Sequence, residues 1–219
     1  MIGTFNQQIQ FSRKIGGYRR IFEGQVKLIE GGFKANLVDL PSAGNVLPAG
    51  TPLYCDEVNR TVVPLITYKV LAVDADASTI KVEKLFSGTR AKVGGYLVVL
   101  PNADLSATGT AMQISAIDNS NEGFDILTVD KVAVEGTAIV AEGNIIADAT
   151  SAGKLKVSQV NALAPYDTCL DPEAYACDID GAYACFDRSV LVRRMPPVND
   201  AIWASLKAND CYFRRSNRK

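Results

Sequence analysis

The stretch that most constrains this chain is a β unit that occurs twice. The clearer copy, residues 68–100, runs Lys69-Val-Leu-Ala-Val-Asp74, turns through Ala75 to Thr79, returns as Ile80-Lys-Val-Glu-Lys84, and closes with Val93-Gly-Gly-Tyr-Leu-Val98. The second copy, residues 113–139, runs Gln113-Ile-Ser-Ala-Ile-Asp118, turns through Asn119 to Gly123, returns as Ile126-Leu-Thr-Val-Asp-Lys131, and closes with Val134-Glu-Gly-Thr-Ala-Ile139. Ala72-Val-Asp74 aligns with Ala116-Ile-Asp118, Val82-Glu-Lys84 with Val129-Asp-Lys131, and Val93-x-Gly95 with Val134-x-Gly136, at offsets of 44, 47 and 41 residues. The closing element has a further relative upstream, Gly50-Thr-Pro-Leu53 beside Gly136-Thr-Ala-Ile139. Apolar residues alternate at period two between turn residues, which is the pattern of half-buried antiparallel strands. The expected fold is mainly β, a β-sandwich or β-barrel body with duplicated hairpin units.

A chain of 219 residues can bury a substantial core as one large β domain or two small ones. Its 23 Lys and Arg nearly balance 24 Asp and Glu, so no global field recruits nucleic acid or an anionic membrane, and neither is expected as a partner. The charge is uneven, with Arg13, Lys14, Arg19 and Arg20 near the start and Arg214, Arg215, Arg218 and Lys219 at the end. Histidine is absent. That excludes Ser-His-Asp and Cys-His triads and most catalytic zinc sites, and leaves only carboxylate- or Lys-based chemistry open. No apolar run reaches a membrane-spanning length, and Met1 to Gln8 lacks the basic start and apolar run of a secretory signal.

Taken in order, residues 1–24 read as an extended arm, with Phe5, Phe11, Tyr18 and Phe22 among Gln and Arg, that packs along the body or reaches a neighbour. Residues 25–160 form the β-rich body. Within it, Val26 to Glu30 and Phe33 to Val38 read as a hairpin joined by Gly31-Gly32, and the prolines of Val46 to Asp56 suit an edge strand or a corner. Residues 161–219 hold a second expected hairpin, with Cys177 and Cys185 on either side of Asp178-Ile-Asp-Gly181, then a helix and a basic tail packing on the body. The helix is Ala201 to Ala208, short and C-terminal, with Asn199 or Asp200 as its cap, Ile202, Trp203 and Leu206 at helical spacing, and Asn209 as its stop. Cys211 to Arg214 reads as a last strand.

Candidate chemistry is sparse. Five cysteines are too few and too unevenly placed for a disulfide scaffold, and Cys177 and Cys185 read as cross-strand thiols in a core. Asp118-Asn-Ser-Asn-Glu-Gly123 imitates the start of a calcium loop but has Val129 where a bidentate Glu is needed, so it reads as a hairpin turn. Gly88 to Gly95 has basic residues beside glycines but lacks the Gly-Lys-Ser/Thr ending of a phosphate loop. No catalytic residue, metal or cofactor is expected. Trp203 either anchors a partner or packs in its own domain.

Two further stretches carry a resemblance. Val46-Leu-Pro-Ala-Gly-Thr-Pro-Leu-Tyr-Cys-Asp56, and Val190 to Lys207 with its Met195-Pro-Pro-Val-Asn-Asp-Ala-Ile-Trp core, resemble head decoration and head fibre proteins of tailed bacteriophages. There a Pro-Ala-Gly-Thr-Pro corner, here Pro48 to Leu53, opens a β-rich body, and a Pro-Pro helix, here Pro196 to Lys207, followed by a short strand closes it. The resemblance implies a non-enzymatic virion structural protein, made in the host bacterial cytoplasm, that binds the major capsid protein on the capsid exterior, commonly as a homotrimer. On that reading Phe5, Phe11, Tyr18, Phe22 and Trp203 are candidates for capsid or subunit contact. Two other readings stand beside it, a glycan- or ligand-binding β module at a cell surface and a carboxylate-dependent hydrolase.

Overall fold

The computed structural model describes residues 20–29, 32–36, 46–169 and 176–216. The protein is mainly β, with one α-helix among the described residues. Its strands are β1 Gln25–Leu28, β2 Phe33–Asn36, β3 Val46–Leu47, β4 Pro52–Asp56, β5 Thr61–Pro64, β6 Thr67–Asp74, β7 Thr79–Glu83, β8 Tyr96–Val99 and β9 Met112–Asp118. They continue as β10 Phe124–Val129, β11 Ala133–Val134, β12 Thr137–Ala138, β13 Ile145–Ala149, β14 Ala162–Leu163, β15 Thr168–Cys169, β16 Ala176–Ile179 and β17 Ala182–Val190. Helix α1, Asp200–Ala208, and strand β18, Tyr212–Arg215, end the described chain.

The duplicated units build a closed six-stranded barrel, in the order β10-β7-β6-β13-β8-β9. Its register is that of a pseudo-two-fold. In β6–β7, Ala72 faces Lys81 and Val70 faces Val82 across a bulge; in β9–β10, Ala116 faces Thr128 and Ile114 faces Val129 across the same bulge. Ile145 and Ile146 face Lys69 and Tyr68, as Tyr96 and Leu97 face Gln113 and Met112. Two pairs map onto themselves and so mark the axis, Ile80 with Leu127 on one wall and Val98 with Ala147 on the opposite wall.

The third element of the second unit is therefore β13, and Val134 to Ile139 is not it. The equivalent residues are Gly94 and Gly143, offset by 49, at φ +81° and +82°. Each donates its N–H to the opposite unit, Gly94 to the Ile114 carbonyl at 2.8 Å and Gly143 to that of Val70 at 3.0 Å. Residues 133–138 instead make a separate hairpin, β11–β12. Gly50 and Gly136 are not equivalent either, since Gly50 lies in a buried corner and Gly136 at an exposed hairpin tip.

The remaining strands form a curled sheet, β1-β17-β14-β4-β5-β2-β16, with β18 beside β17. Neither hairpin expected in this part forms. β1 and β2 run on in one direction, as do β16 and β17, and the two long strands pair antiparallel from Gln25–Phe186 to Asn36–Ala176, joined midway by Ile29 N–H to the Gly181 carbonyl at 2.8 Å. This ribbon ties the sheet's two edges together. Gly181 is its crossing point, where a Cβ would meet Cys55 Sγ at 2.8 Å and Ala162 Cβ at 3.0 Å. Gly-Gly and Asp-x-Asp-Gly are turn chemistry locally, but pairing β1 with β17 and β2 with β16 builds all four strands into the sheet, whereas isolated two-stranded hairpins are marginal. β4 is likewise interior, between β14 and β5, and tolerates Pro52 because it is the strand's first residue. Cys177 pairs with Ala35 and Cys185 with Val26, so these two cysteines are not cross-strand neighbours.

One core runs from the barrel interior (Tyr68, Val70, Ile80, Leu97, Met112, Leu127, Ile146) through Ile66 into the sheet at Phe33, Leu53 and Val62. A second joins the outer face of β8 and β13, at Val98 and Ala147, to Leu163, Val190, Ile202 and Leu206. Barrel, sheet and helix thus share their packing.

Candidate functional site

Helix α1 forms where Asn199 Oδ1 accepts from Ile202 N at 3.2 Å, and the same side chain donates to the Pro101 carbonyl at 2.6 Å. Capping and docking are one contact. Ala201, Ile202 and Leu206 bury the inner stripe, while Ser205 Oγ, Asn209 Nδ2 and Cys211 Sγ tie the helix and its exit to Val160 and Asn161. The chain then enters β18, parallel to β17, so the helix is the crossover that parallel neighbours require.

Between α1 and β17–β18 lies a groove of about 680 Å³ lined by Trp203, Leu206, Phe186, Tyr212 and Phe213, with Lys207, Arg214 and Arg215 around it. Tyr212 is 61% and Phe186 44% exposed. Arg215 lies over the Trp203 ring at 5.5 Å and bonds Asp200 at 3.0 Å, holding the half-buried indole at the wall between this groove and a neighbouring one. Of the candidate contact residues, Phe5, Phe11 and Tyr18 lie outside the described residues. Phe22 is buried with its ring 6.0 Å from Phe213, so it packs in its own domain, and Ile21 beside it is buried too. Of the candidates among the described residues, only Trp203 lines the groove. Phe186 and Tyr212 were missed because the cover given by β18 begins only at Ala184, a long-range fact that strand phase does not carry.

A second polar site closes one end of the barrel. Tyr68 donates to Asp148 Oδ1 at 3.0 Å, and the Arg90 guanidinium, 3% exposed, lies 4.9 Å from the Tyr68 ring. Its two terminal nitrogens have no hydrogen-bond acceptor among the described residues. Burial pulls Arg90 below its ordinary value, opposed by Tyr68, Asp148 and Asp125, but a guanidinium stays charged. The pseudo-two-fold places Met112, Val99 and Ser78 at the other end, where Tyr68, Asp148 and Asp125 stand at this one, and Val132, Ile139 and Val140 pack there. The duplicated barrel has thus diverged into one polar and one apolar end.

Burial raises the Asp148 carboxyl above its ordinary 3.8, against the pull of Lys156, the Tyr68 hydroxyl and Arg90. With its side chain 21% exposed toward Lys156, solvent relieves part of this cost. A raised acid binds its proton more tightly when folded, so stability falls as pH rises from about 3.8 through the folded value. Asp148→Asn, which keeps an acceptor for Tyr68, is expected to raise the melting temperature at pH 7 to 8 and to lose that advantage near pH 4. A variant less stable than the parent by the same margin at every pH would show that this assignment is wrong.

The acidic turn after Asp118 is filled by a lysine. Lys84 Nζ donates to the Asn119 and Asn121 carbonyls at 2.8 and 2.5 Å and pairs with Asp125 at 2.9 Å, while Asp118 Oδ1 accepts from Ser120 N. Among the described residues no group of three His, Cys, Asp or Glu could hold a metal, and no helix is long and apolar enough to cross a membrane. Burial pushes the Cys55 thiol up to about 12 and that of Cys211 to about 11, which makes both poor nucleophiles.

The Pro48 to Leu53 corner is built for burial. Thr51 Oγ1 donates to the Pro48 carbonyl at 2.7 Å, Ala49 N to Asp167 Oδ1 at 2.7 Å, and Gly50 N to the Ala164 carbonyl at 2.8 Å. Gly50, at φ +82°, turns its bare Cα onto Met195, where an added Cβ would lie 2.4 Å from the Met195 Cβ. Comparison of the chain with protein-family models, curated proteins and solved structures gave no match.

Proposed function

We propose that this chain is a non-enzymatic structural protein of a tailed-bacteriophage head, bound to the capsid exterior as a decoration or head fibre subunit and associated as a homotrimer. The observation that carries the reading is the contact between Gly50 and Met195. The two stretches that resemble head decoration and head fibre proteins lie some 145 residues apart in the chain, yet the corner of one is closed by the residue that precedes Pro196 of the other. The resemblance therefore rests on one packed unit that joins the entry of the β body to its closing helix. The absence of histidine and the exposed aromatic groove suit a protein that works by surface contact.

The test is native mass together with the genes flanking the coding sequence, followed by co-sedimentation with particles assembled from the neighbouring major capsid protein. The expected result is a trimer that pellets with the particles. A monomer encoded among sugar-uptake or surface-protein genes, which stays in the supernatant, would overturn the reading and favour glycan binding, with Tyr212 and Phe186 as the exposed rings.

A further inference from the structure

Charge is unevenly distributed along the chain. Residues 1–20 carry four Lys and Arg and no acid, and residues 186–219 carry eight against three acids, whereas residues 21–185 carry eleven against twenty-one. Among the described residues, Arg194 donates to the Arg20 carbonyl and Phe22 packs on Phe213 beside Arg214, which gathers these arginines on one side. The groove between α1 and β18 is itself rimmed by Lys207, Arg214 and Arg215. Among the described residues Lys207 and Arg214 at its rim have no ion-pair partner, and β18 pairs with β17 alone and presents its other edge.

The β11–β12 hairpin carries the complementary charge at Glu135, with Glu142 just after it. Its root, Val132 and Val140, plugs the apolar end of the barrel, while Val134, Glu135, Gly136 and Thr137 are exposed at its tip and Glu142 just beyond. It forms a two-stranded sheet of its own. In other acidic turns one carboxylate is bonded to its own backbone. Asp74 accepts from Asp76 N and Ala77 N, Asp56 from Val58 N and Asn59 N, Asp104 from Ser106 N, and Asp118 from Ser120 N. Glu135 and Glu142 make no such bond and no ion pair among the described residues.

We propose that the basic groove seats the β11–β12 hairpin of a second copy of this chain, which lays a strand along the open edge of β18, sets Val134 against Tyr212 and Phe186, and brings Glu135 and Glu142 to Lys207 and Arg214. A groove that takes a different surface of its neighbour is a heterologous contact, which closes into a ring when the rotation between copies closes and runs on as a filament when it does not. A ring of three supplies the subunit contact of the trimer proposed above, and on that point the inference rests on that reading.

The experiment measures the native mass of the full chain across concentration at about 50 and 500 mM salt, a span over which exposed charge pairs are progressively screened. It compares the parent with a groove variant (Lys207→Glu, Arg214→Glu), a hairpin variant (Glu135→Lys, Glu142→Lys) and the chain carrying all four changes. All four positions are exposed, and melting curves check that each variant folds. Each two-site variant is expected to associate about tenfold more weakly or worse, high salt to act in the same direction, and the four-site chain to recover association. A trimer indifferent to both variants places the contact elsewhere and overturns this inference while leaving the trimer intact. Failure of the four-site chain to recover also overturns it. A parent that is monomeric throughout removes both contact and trimer, and capsid co-sedimentation then decides the virion reading separately.

Discussion

Gly50→Ala is expected to lower stability by about 3–5 kcal/mol, which for a chain of this size is a fall of roughly 10 °C in melting temperature. Two costs add. A left-handed backbone, here φ +82°, costs an L-residue about 1–2 kcal/mol. The new methyl would also sit 2.4 Å from Met195 Cβ and 2.9 Å from Ile21 Cδ1. The isoleucine methyl can swing aside, but Met195 Cβ is fixed to the backbone, so the Met195-Pro196 segment must retreat from the corner and expose the pocket beneath α1. Gly136→Ala separates the two costs, because its φ is +77° and nothing lies within 4 Å of the added Cβ. It should cost only the conformational part, about 1–2 kcal/mol. Met195→Gly in the Gly50→Ala background should recover part of the loss relative to Met195→Gly alone, as expected for residues in contact. Equal melting temperatures for Gly50→Ala and Gly136→Ala would mean that the corner is not closed by Met195, and the observation on which the virion reading leans would go with it.

How much of this was legible in the residues follows from the range of the forces involved. The first two strands of each unit could be aligned because both faces of a hairpin leave a local mark, Ala72-Val-Asp74 against Ala116-Ile-Asp118 and the Val-acid-Lys triplets. The third could not. Tyr96-Leu-Val-Val99 and Ile145-Ile-Ala-Asp148 share no identity, and the one conserved demand, a left-handed glycine before the strand, was imitated by Gly95 and Gly136. Helix α1 was readable down to its cap because capping is a contact between near neighbours. The ribbon of β1–β2 with β16–β17 was not, because its partners are some 150 residues apart and each half carries a turn motif that argues for a hairpin. Arg90 sat in a loop with nothing to announce that Tyr68 and Asp148 would close around it. The groove was legible only through Trp203, since its other exposed rings are set by where β18 docks.

The barrel's symmetry yields the second large effect. Ile80 and Leu127 are fully buried, face each other across the axis, and look onto equivalent neighbours, Val70 and Val82 on one side and Ile114 and Val129 on the other. Ile80→Ala and Leu127→Ala should therefore each cost about 3–4 kcal/mol, agreeing to within about 1 kcal/mol. The double variant should depart from additivity, because the two cavities adjoin and relax together. The ends of the barrel should not match. Met112→Leu, at the apolar end, conserves volume and should cost less than about 1.5 kcal/mol. Tyr68→Leu, at the equivalent polar position, removes the hydroxyl that bonds Asp148 and the ring beneath the Arg90 guanidinium, leaving buried charge with less compensation, and should cost several times as much. Urea unfolding of the four single variants and the double reads all of this in one series. If Ile80→Ala and Leu127→Ala differ by more than about 2 kcal/mol while Tyr68→Leu and Met112→Leu agree, the pseudo-two-fold describes hydrogen-bond register alone and the two halves of the barrel are not energetically equivalent at its centre.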